Sequence, residues 1–372
     1  MTEQDLQITQ IELYKLNIPL KEPFVISLGT IYNAENIIVV IRTNHGISGF
    51  GECSPFMTIN GESQSTCFIV GELLAKKLKG KNPLDIEDCV NVMDKTIYGN
   101  SSIKSAFDIA LHDIASQYAG IPLYKFLGGK KSKKLVTDYT VSMGEPGEMA
   151  SDALKLKKFG YRIIKVKLGE NKEIDVERIK AIRKAIGKKL PIRIDANQGW
   201  DVKTAIKILQ ALKEFNIQYC EEPIPRWDFM NLKKVNKKSP IPVMADESCC
   251  DHHDAKRLIQ LHACDMFNLK LGKSSGFLNA KKIIALAEKE NIKMQVGGFM
   301  ESKIAMTANA HLALSSKNIL YCDFDTPLMF AEDPVSGGII YKANGIVEVP
   351  DTTGLGAWIE KEKLDKLEKI IV

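Results

Sequence analysis

From about residue 137 onward, short apolar runs alternate with longer stretches whose apolar residues are spaced three and four apart. Eight such runs occur, from TDYTVS at 137–142 to ILYCDFD at 319–325, and consecutive runs lie 24 to 30 residues apart. Spacing by three and four places apolar side chains on one face of a helix. A short continuous apolar run is typical of a strand that is buried on both faces. The pattern therefore predicts eight strands that alternate with helices.

Strand, helix and strand at this interval indicate βαβ units and a parallel sheet. Eight strands within about 190 residues favour a closed barrel over an open, doubly wound sheet. The last unit has no full helical partner before the sequence changes character at Asp333-Pro334. The predicted fold class is α/β, with a modified TIM barrel of the (β/α)7β type at 129–332.

The first part of the chain, 1–128, has a different pattern and predicts an α+β capping domain. Two strand-like segments occur at 7–20 and 36–52, and the turn Asn44-His45-Gly46 within the second predicts a hairpin. The tail at 333–372 contains two strand-like segments around Asn344-Gly345, and we expect it to return to the capping domain and complete it. The predicted helices of the capping domain are 64–79, 84–96 and 103–118.

Composition narrows the function classes. The 51 Lys and Arg residues exceed the 46 Asp and Glu residues by five, and they are scattered among helical stretches. We therefore expect no nucleic-acid partner. No apolar run approaches the ~18–20 residues of a membrane span, and the first ten residues carry no secretory pattern. The eight cysteines show no CxxC spacing, which favours free thiols in a reducing cytoplasm over disulfides or a zinc site.

Several predicted strands carry charged residues, which is unusual for strands buried on both faces. Lys165 and Lys167 are two apart and share a face, as do Asp323 and Asp325. The carboxyl ends of barrel strands converge on one mouth, where the active sites of this fold lie. Buried charge is costly unless it is paired or bound to a metal. Further charged residues in or at the ends of these runs include Arg193, Asp195, Glu221, Asp246 and Lys270.

The types of these residues point to a chemistry. Asp195, Glu221 and Asp246 on consecutive strands form an oxygen-rich set suited to Mg²⁺. Lys167 and Lys270 flank it, and a lysine beside a divalent cation and another ammonium has its neutral form favoured, with a pKa near ~7–8. A metal with bases on both sides suits proton abstraction next to a carboxylate. Taken singly, each feature has a simpler interpretation, such as an exposed strand face for the lysines or a helix cap for Asp246.

Six segments in this order resemble the enolase superfamily, in particular its muconate-lactonizing subgroup and the dipeptide epimerases within it. The resemblance extends over nearly the whole chain. The segments are Ala106–Ala115 continuing to Gly129, Lys165-Val166-Lys167, Asp195-Ala196-Asn197-Gln198, Glu221-Glu222-Pro223, Ala245-Asp246-Glu247-Ser248 and Asn268-Leu269-Lys270-Leu271. Asp323-Phe324-Asp325 also resembles the DxD motif of the dipeptide epimerases.

The resemblance implies a magnesium-dependent isomerase that inverts the α-carbon of a dipeptide's C-terminal residue through an enediolate. Mg²⁺ would be held by Asp195, Glu221 and Asp246. Lys167 and Lys270 would exchange the proton from opposite sides, while Lys165 stabilises developing charge and keeps Lys167 partly neutral. The DxD carboxylates, Asp323 and Asp325, would receive the dipeptide's ammonium.

Further substrate contacts are expected from Gly297, Gly298, Thr140 and Phe24, with the loops near 24–30 and 54–61 closing over the site. The sequence departs from its relatives at two positions. Glu222 stands where a glutamine is common, and Gly29 stands where relatives specific for L-Ala-L-Glu can carry an arginine.

Two other functions stay open. One is a sibling lyase or cycloisomerase of the o-succinylbenzoate synthase or muconate cycloisomerase type, which uses the same metal and lysines. The other is a barrel that binds a dipeptide without turning it over. The expected partner is a small-molecule dipeptide, and assembly into a homo-oligomer is compatible with the sequence.

Overall fold

The structure is a computed structural model that describes residues 6–372 of the 372-residue chain. Residues 1–5, the first half of the ten-residue start in which we found no secretory pattern, lie outside the described residues.

The amino-terminal part folds as an antiparallel sheet covered by helices. The three strands pair in the order β1, β2 and β3, and the predicted hairpin at Asn44-His45-Gly46 joins the last two. The strands are β1 (Ile8–Ile26), β2 (Gly29–Thr43) and β3 (Ser48–Cys53). The helices are α1 (Gln64–Leu78), α2 (Ile86–Thr96), α3 (Ser101–Tyr118) and the short α4 (Leu123–Phe126).

The expected loop at 24–30 is instead the far end of a β-hairpin. Phe24 pairs with Ile31 and Ile26 pairs with Gly29, which leaves Ser27 and Leu28 as the turn. At this end β1 and β2 pair with each other and extend past the residues of β2 that pair with β3. The hairpin is therefore a defined structural element that reaches the barrel mouth.

Strand β2 is buried on both faces and packs against both the barrel and the helices of the capping domain. Ile38 and Val40 belong to the large barrel core, whereas Ile37, Val39 and Ile41 belong to the core under α1 and α3. Alternate residues of a strand point to opposite faces, so one strand contributes to both cores.

The second part of the chain forms the predicted barrel, after a short strand β4 (Leu135–Val136). Its eight parallel strands pair in chain order, and a bridge between Thr137 and Cys322 joins the first edge to the last. The strands are β5 (Tyr139–Val141), β6 (Ile164–Lys167), β7 (Ile192–Asp195), β8 (Ile217–Glu221), β9 (Val243–Ala245), β10 (Met266–Leu269), β11 (Lys293–Val296) and β12 (Ile319–Cys322). The helices are α5 (Pro146–Lys158), α6 (Lys172–Ile186), α7 (Val202–Ala211), α8 (Phe229–Lys238), α9 (His252–Leu261), α10 (Leu271–Ser274), α11 (Phe277–Lys289), α12 (Lys303–Ala313) and α13 (Thr326–Met329).

The tail first follows the barrel and then returns to the first sheet. Its strands are β13 (Ser336–Gly337), β14 (Ile340–Tyr341), β15 (Ile346–Glu348), β16 (Ala357–Trp358) and β17 (Lys369–Ile371), with the short helix α14 (Lys361–Leu364). The hairpin of β14 and β15 pairs with β4, whereas β17 pairs with β1. The fold class is confirmed, and the exact domain boundaries remain a prediction.

All eight cysteines are free thiols, and six of them are buried. Across residues 6–372, no helix has the length and apolar character needed to cross a membrane.

A buried histidine connects the barrel to both neighbouring segments. His311 of α12 accepts a hydrogen bond from the backbone N–H of Tyr124 through Nδ1 at 3.0 Å. Its Nε2 lies 3.0 Å from the carbonyl oxygen of Leu355, so the neutral ring donates there. Burial lowers the pKa of His311 from 6.5 to about 4.

We expect this histidine to make stability depend on pH. Between pH 7 and pH 5 the unfolded chain protonates His311 while the folded protein does not. The free energy of unfolding should therefore fall by about 2 kcal/mol through this group as the pH is lowered. Urea unfolding of His311→Asn and of the exposed control His253→Asn at both pH values measures this effect. An equal pH dependence in the two variants would contradict the assignment.

Candidate active site at the carboxyl ends of the barrel strands

Three of the predicted site residues lie at one level across neighbouring strands. Lys167 of β6 pairs in register with Asp195 of β7, which pairs with Glu221 of β8. Lys167 Nζ lies 2.7 Å from Asp195 Oδ2, and both carboxylates are fully buried. Because inward and outward positions alternate along a strand, Ile164 and Val166 pack outward while the lysines point into the barrel.

The next two strands contribute Asp246 and Lys270, each one residue beyond its strand. Lys270 Nζ lies 2.8 Å from Asp246 Oδ2. A further buried lysine, Lys273, lies 2.5 Å from Asp246 Oδ1 and donates to the carbonyl oxygen of Asn268 at 3.0 Å. Asp246 is thus held between two ammonium groups.

Lys165 lies deeper in the barrel, among three carboxylates. Its Nζ is 2.7 Å from Asp323, 2.9 Å from Glu221 and 3.1 Å from Asp195. This position favours the ammonium form of Lys165, whose positive charge stabilises the three carboxylates.

The lowered lysine pKa was predicted beside a bound divalent cation, and it stays a prediction. Burial lowers the pKa values of Lys165 and Lys270, but the nearby carboxylates outweigh it and raise both above the usual range. For Lys165 the raising carboxylates are Asp323, Glu221 and Asp195, and for Lys270 they are Asp246, Glu221 and Glu247.

A second acidic group lies on the opposite side of the barrel axis from Asp246. The carboxylate oxygens of Asp138, Asp323 and Asp325 lie within 4.8 Å of one another. Arg193 pairs with Asp138 at 2.7 Å and Lys165 pairs with Asp323, whereas Asp325 accepts from the backbone N–H of Thr140 at 2.6 Å. Burial and the nearby Asp323 carboxylate raise the pKa of Asp325 to about 7.

Three of these buried lysines, together with Asp323 and Asp325, border one cavity at the barrel mouth. Polar lining is provided by Lys165, Lys167, Lys270, Asp323, Asp325, Thr140 and Asn197, and apolar lining by Phe24, Ile26, Phe56, Ile59, Phe299, Met300 and Met329. Gly298 also borders the cavity. Gly297 instead packs on Asn268, whose Oδ1 would lie 3.1 Å from an added Cβ.

Asp195, Glu221 and Asp246 fit a divalent cation. All three are fully buried carboxylates, which are the hard oxygen donors that divalent cations such as Mg²⁺ prefer, and lysine ammonium groups contact each of them. Burial, Asp195 and Asp246 together raise the pKa of Glu221 to about 7, so the three carboxylates repel one another. Among residues 6–372, their oxygens do not form a group as tight as that of Asp138, Asp323 and Asp325, because lysines lie between them.

Glu222, whose role the sequence left open, connects two loops of the site. One of its carboxylate oxygens accepts from the backbone N–H of Asp246 at 2.6 Å and from that of Ser248 at 3.2 Å. The Ser248 hydroxyl donates to the other oxygen. The Glu222 backbone adopts a left-handed φ of 34°. Glu222 therefore fixes the position of Asp246.

We expect Glu222→Ala to lower the free energy of unfolding by at least about 2 kcal/mol, because it leaves the buried Asp246 amide without an acceptor. Glu222→Gln keeps one acceptor oxygen and should lose less. Urea unfolding of both variants, with the exposed Glu214→Ala as control, measures the difference. Equal losses of unfolding free energy in Glu222→Ala and Glu214→Ala would show that the hydrogen bonds to Glu222 do not stabilise the fold.

Several polar residues of the site were missed from the sequence. Asn197 accepts from Lys167 at 3.0 Å, and Asn268 donates to Glu221 at 2.7 Å. Asp138 and Gln295 also point into the barrel, where Gln295 donates to Glu221 at 3.3 Å. Each of the four lies two positions from a predicted site residue: Asn197 from Asp195, Asn268 from Lys270, Asp138 from Thr140 and Gln295 from Gly297. That spacing was the signal available for them.

Comparison with known proteins agrees with the resemblance seen in the motifs. Residues 8–128 match the family described as the mandelate racemase / muconate lactonizing enzyme N-terminal domain. Residues 148–363 match the family described as enolase C-terminal domain-like.

Individual relatives match over almost the full chain. A protein of Cytophaga hutchinsonii named D-Ala-D/L-Ala epimerase is 59% identical, over 98% of this chain and 99% of its own length. A protein of Clostridium acetobutylicum named L-Ala-D/L-Glu epimerase is 39% identical, over 94% of this chain and 98% of its own length. The crystal structure of the Cytophaga hutchinsonii dipeptide epimerase, complexed with Mg and D-Ala-L-Val, matches 98% of this chain and 100% of that chain with a TM-score of 0.98 and 59% identity.

Proposed function

Because the chain belongs to the enolase superfamily, in its mandelate racemase / muconate lactonizing branch, we propose that it is a Mg²⁺-dependent dipeptide epimerase. The proposed reaction inverts the α-carbon of the C-terminal residue by 1,1-proton transfer through an enediolate. The observation that carries the proposal is that Lys167 and Lys270 border one cavity from the two ends of a row of three carboxylates. Relatives named as epimerases support the same reaction class.

Asp195, Glu221 and Asp246 are the residues we assign to the metal. Bound there, Mg²⁺ would supply positive charge to the substrate carboxylate and so acidify the adjacent α-proton. The position of these three carboxylates on consecutive strands, in a row between Lys167 and Lys270, supports this assignment over the second acidic group.

The two lysines perform the proton transfer in this proposal. One takes the α-proton, so that the C–H bond breaks and an N–H bond forms on its Nζ. The other donates a proton to the opposite face of the same carbon. Each could perform either half of the reaction, since inversion must run in both directions. Lys165, held by three carboxylates, keeps positive charge beneath the reacting carboxylate.

Asp323 and Asp325 are assigned to the ammonium of the N-terminal residue. With Asp138, Arg193 and Lys165 they form a cluster of three carboxylates and two cations, which leaves room for one further positive charge. Among residues 6–372, Asp138 and Asp323 have ion-pair partners and Asp325 has none, which supports the binding of the ammonium there.

The substrate class that we propose is a dipeptide with small or apolar side chains. The apolar lining of the cavity consists of phenylalanine, isoleucine and methionine side chains. Its lysines already lie near carboxylates, so a glutamate side chain would find no unpaired cation among the described lining residues. Gly29 is exposed and borders the neighbouring cleft. The name of the 59% identical relative, D-Ala-D/L-Ala epimerase, agrees with this class.

A dipeptide library incubated with protein and MgCl₂ in D₂O, and read by mass spectrometry, tests the proposal. We expect D-Ala-L-Ala and similar apolar dipeptides to gain one deuterium, at least about tenfold faster than L-Ala-L-Glu, because desolvating an unpaired carboxylate is costly. Loss of water from a substrate would instead indicate a lyase. Binding without deuterium uptake would indicate a non-catalytic barrel. A homo-oligomer, the absence of nucleic-acid and membrane partners, and a cytoplasmic location remain predictions.

A further inference from the structure

Each of the two lysines lies over an aromatic ring. Lys167 Nζ is 5.7 Å from the centroid of the Phe24 ring, and Lys270 Nζ is 4.7 Å from the centroid of the Phe299 ring. Both distances lie within the ~6 Å over which a ring face attracts a cation. The two rings reach the cavity from different parts of the chain, since Phe24 belongs to the capping domain and Phe299 follows barrel strand β11.

The hairpin that carries Phe24 is attached to the Lys167 side of the barrel. The hydroxyl of Ser27, at the hairpin turn, lies 2.9 Å from the carbonyl oxygen of Ala196 and 2.8 Å from that of Asn197. The Asn197 side chain in turn accepts from Lys167 Nζ at 3.0 Å. The hairpin therefore contacts Lys167 through a ring and through a hydrogen-bonded chain.

The loop 54–61 is attached to the Lys270 side. The Phe56 ring packs on Phe299 with centroids 5.7 Å apart, and Ser54 Oγ accepts from the backbone N–H of Met300 at 3.1 Å. At the other end of the loop, the Asn60 side chain donates to the carbonyl oxygen of Gly272 at 3.0 Å. Gly272 lies two residues after Lys270, so this loop holds both the lysine segment and its ring.

We propose that the two capping-domain elements act separately, with the hairpin positioning Lys167 through Phe24 and loop 54–61 positioning Lys270 through Phe56 and Phe299. This inference rests on the proposed epimerase function. A ring face attracts a lysine ammonium and so favours the side-chain position in which Nζ lies over the ring. The ring also shields Nζ from water. Phe24, Phe56 and Phe299 are thus positioning residues, each set specific to one lysine.

Deuterium kinetic isotope effects on kcat/KM, measured in both directions, test this division. The probes are D-Ala-L-Ala and D-Ala-D-Ala labelled at the C-terminal α-carbon. Each lysine abstracts the proton in one direction and donates it in the other. Slowing one lysine therefore makes abstraction more rate-limiting in the direction in which it abstracts. In the reverse direction its donation is slowed, so abstraction by the other lysine becomes less rate-limiting. We therefore expect Phe24→Leu to raise the isotope effect in one direction and lower it in the other, and to lower kcat/KM about two- to thirtyfold.

Phe299→Leu and Phe56→Leu should produce the opposite pair of shifts. Phe299→Tyr keeps the ring and should restore the effects of the unmodified protein. The exposed Phe159→Leu is the matched control and should change neither direction. Lys167→Ala and Lys270→Ala identify which lysine abstracts the proton in each direction. Each variant should exchange the α-proton of only that diastereomer from which the remaining lysine abstracts it.

Isotope effects that move together in all three leucine variants, or that do not move, would overturn the division while leaving the epimerase function intact. Unmodified protein that exchanges the α-proton of no dipeptide would overturn the proposed function itself, and this inference with it.

Discussion

Replacement of Lys270 by alanine is expected to lower the rate of epimerisation by about 10³-fold, within the range for loss of a general acid–base group. Lys167→Ala should have a similar effect. Inversion requires proton removal on one face and proton delivery on the other, so one lysine cannot replace the other. Each variant should still exchange the α-proton of one diastereomer with D₂O, because one half of the reaction survives.

Both reactions are measured by proton NMR of the two purified diastereomers. Lys256→Ala, which removes an exposed lysine from α9, is the matched control and should epimerise normally. Normal epimerisation by either Lys167→Ala or Lys270→Ala would show that the two-base assignment is wrong.

Replacement of Asp246 by asparagine is expected to weaken Mg²⁺ binding by at least about 100-fold, and epimerisation should fall with it. The substitution removes one of three carboxylates and leaves Lys270 and Lys273 facing a neutral amide. Isothermal titration calorimetry with MgCl₂ measures the affinity independently of turnover. Asp201→Asn, at the exposed start of α7, is the matched control.

The same titration distinguishes the two acidic groups of the barrel. If Asp325 binds the substrate ammonium, Asp325→Asn should keep the Mg²⁺ affinity and raise KM for the dipeptide. Loss of Mg²⁺ binding in Asp325→Asn, with normal binding in Asp246→Asn, would place the metal in the second group.

Much of the barrel could be predicted because its signals are local. Each barrel strand coincides with a short, largely apolar run, and charged residues occur within some runs and at the ends of several. Parallel pairing in chain order then brings Lys167, Asp195 and Glu221 to one level. No long-range information is needed to place these residues at the mouth.

The parts that were wrong or missed depend on contacts between distant segments. The hairpin around Ser27 is defined by its contact with the barrel loop at Ala196, which lies far away in the sequence. The tail hairpin pairs with β4 rather than with the first sheet, and nothing in its composition selects one partner over the other. The three carboxylates that surround Lys165 likewise come from distant segments, so no single motif reveals their combined effect.

Glu222 illustrates why a motif match does not specify a role. Its acidic side chain follows a predicted metal ligand, yet it accepts hydrogen bonds from the next loop. Only the chain path of β8 and β9 brings Asp246 and Ser248 against it, so the sequence could not assign this contact.

The central claim is that one α-carbon, that of the C-terminal residue, exchanges its proton and inverts. The most direct measurement is proton and deuterium NMR of D-Ala-L-Ala incubated with the protein and MgCl₂ in D₂O. We predict that the D-Ala-D-Ala product carries one deuterium at its C-terminal α-carbon and none at its N-terminal α-carbon. Product that retains its C-terminal α-proton, or deuterium at the N-terminal α-carbon, would contradict the proposed 1,1-proton transfer.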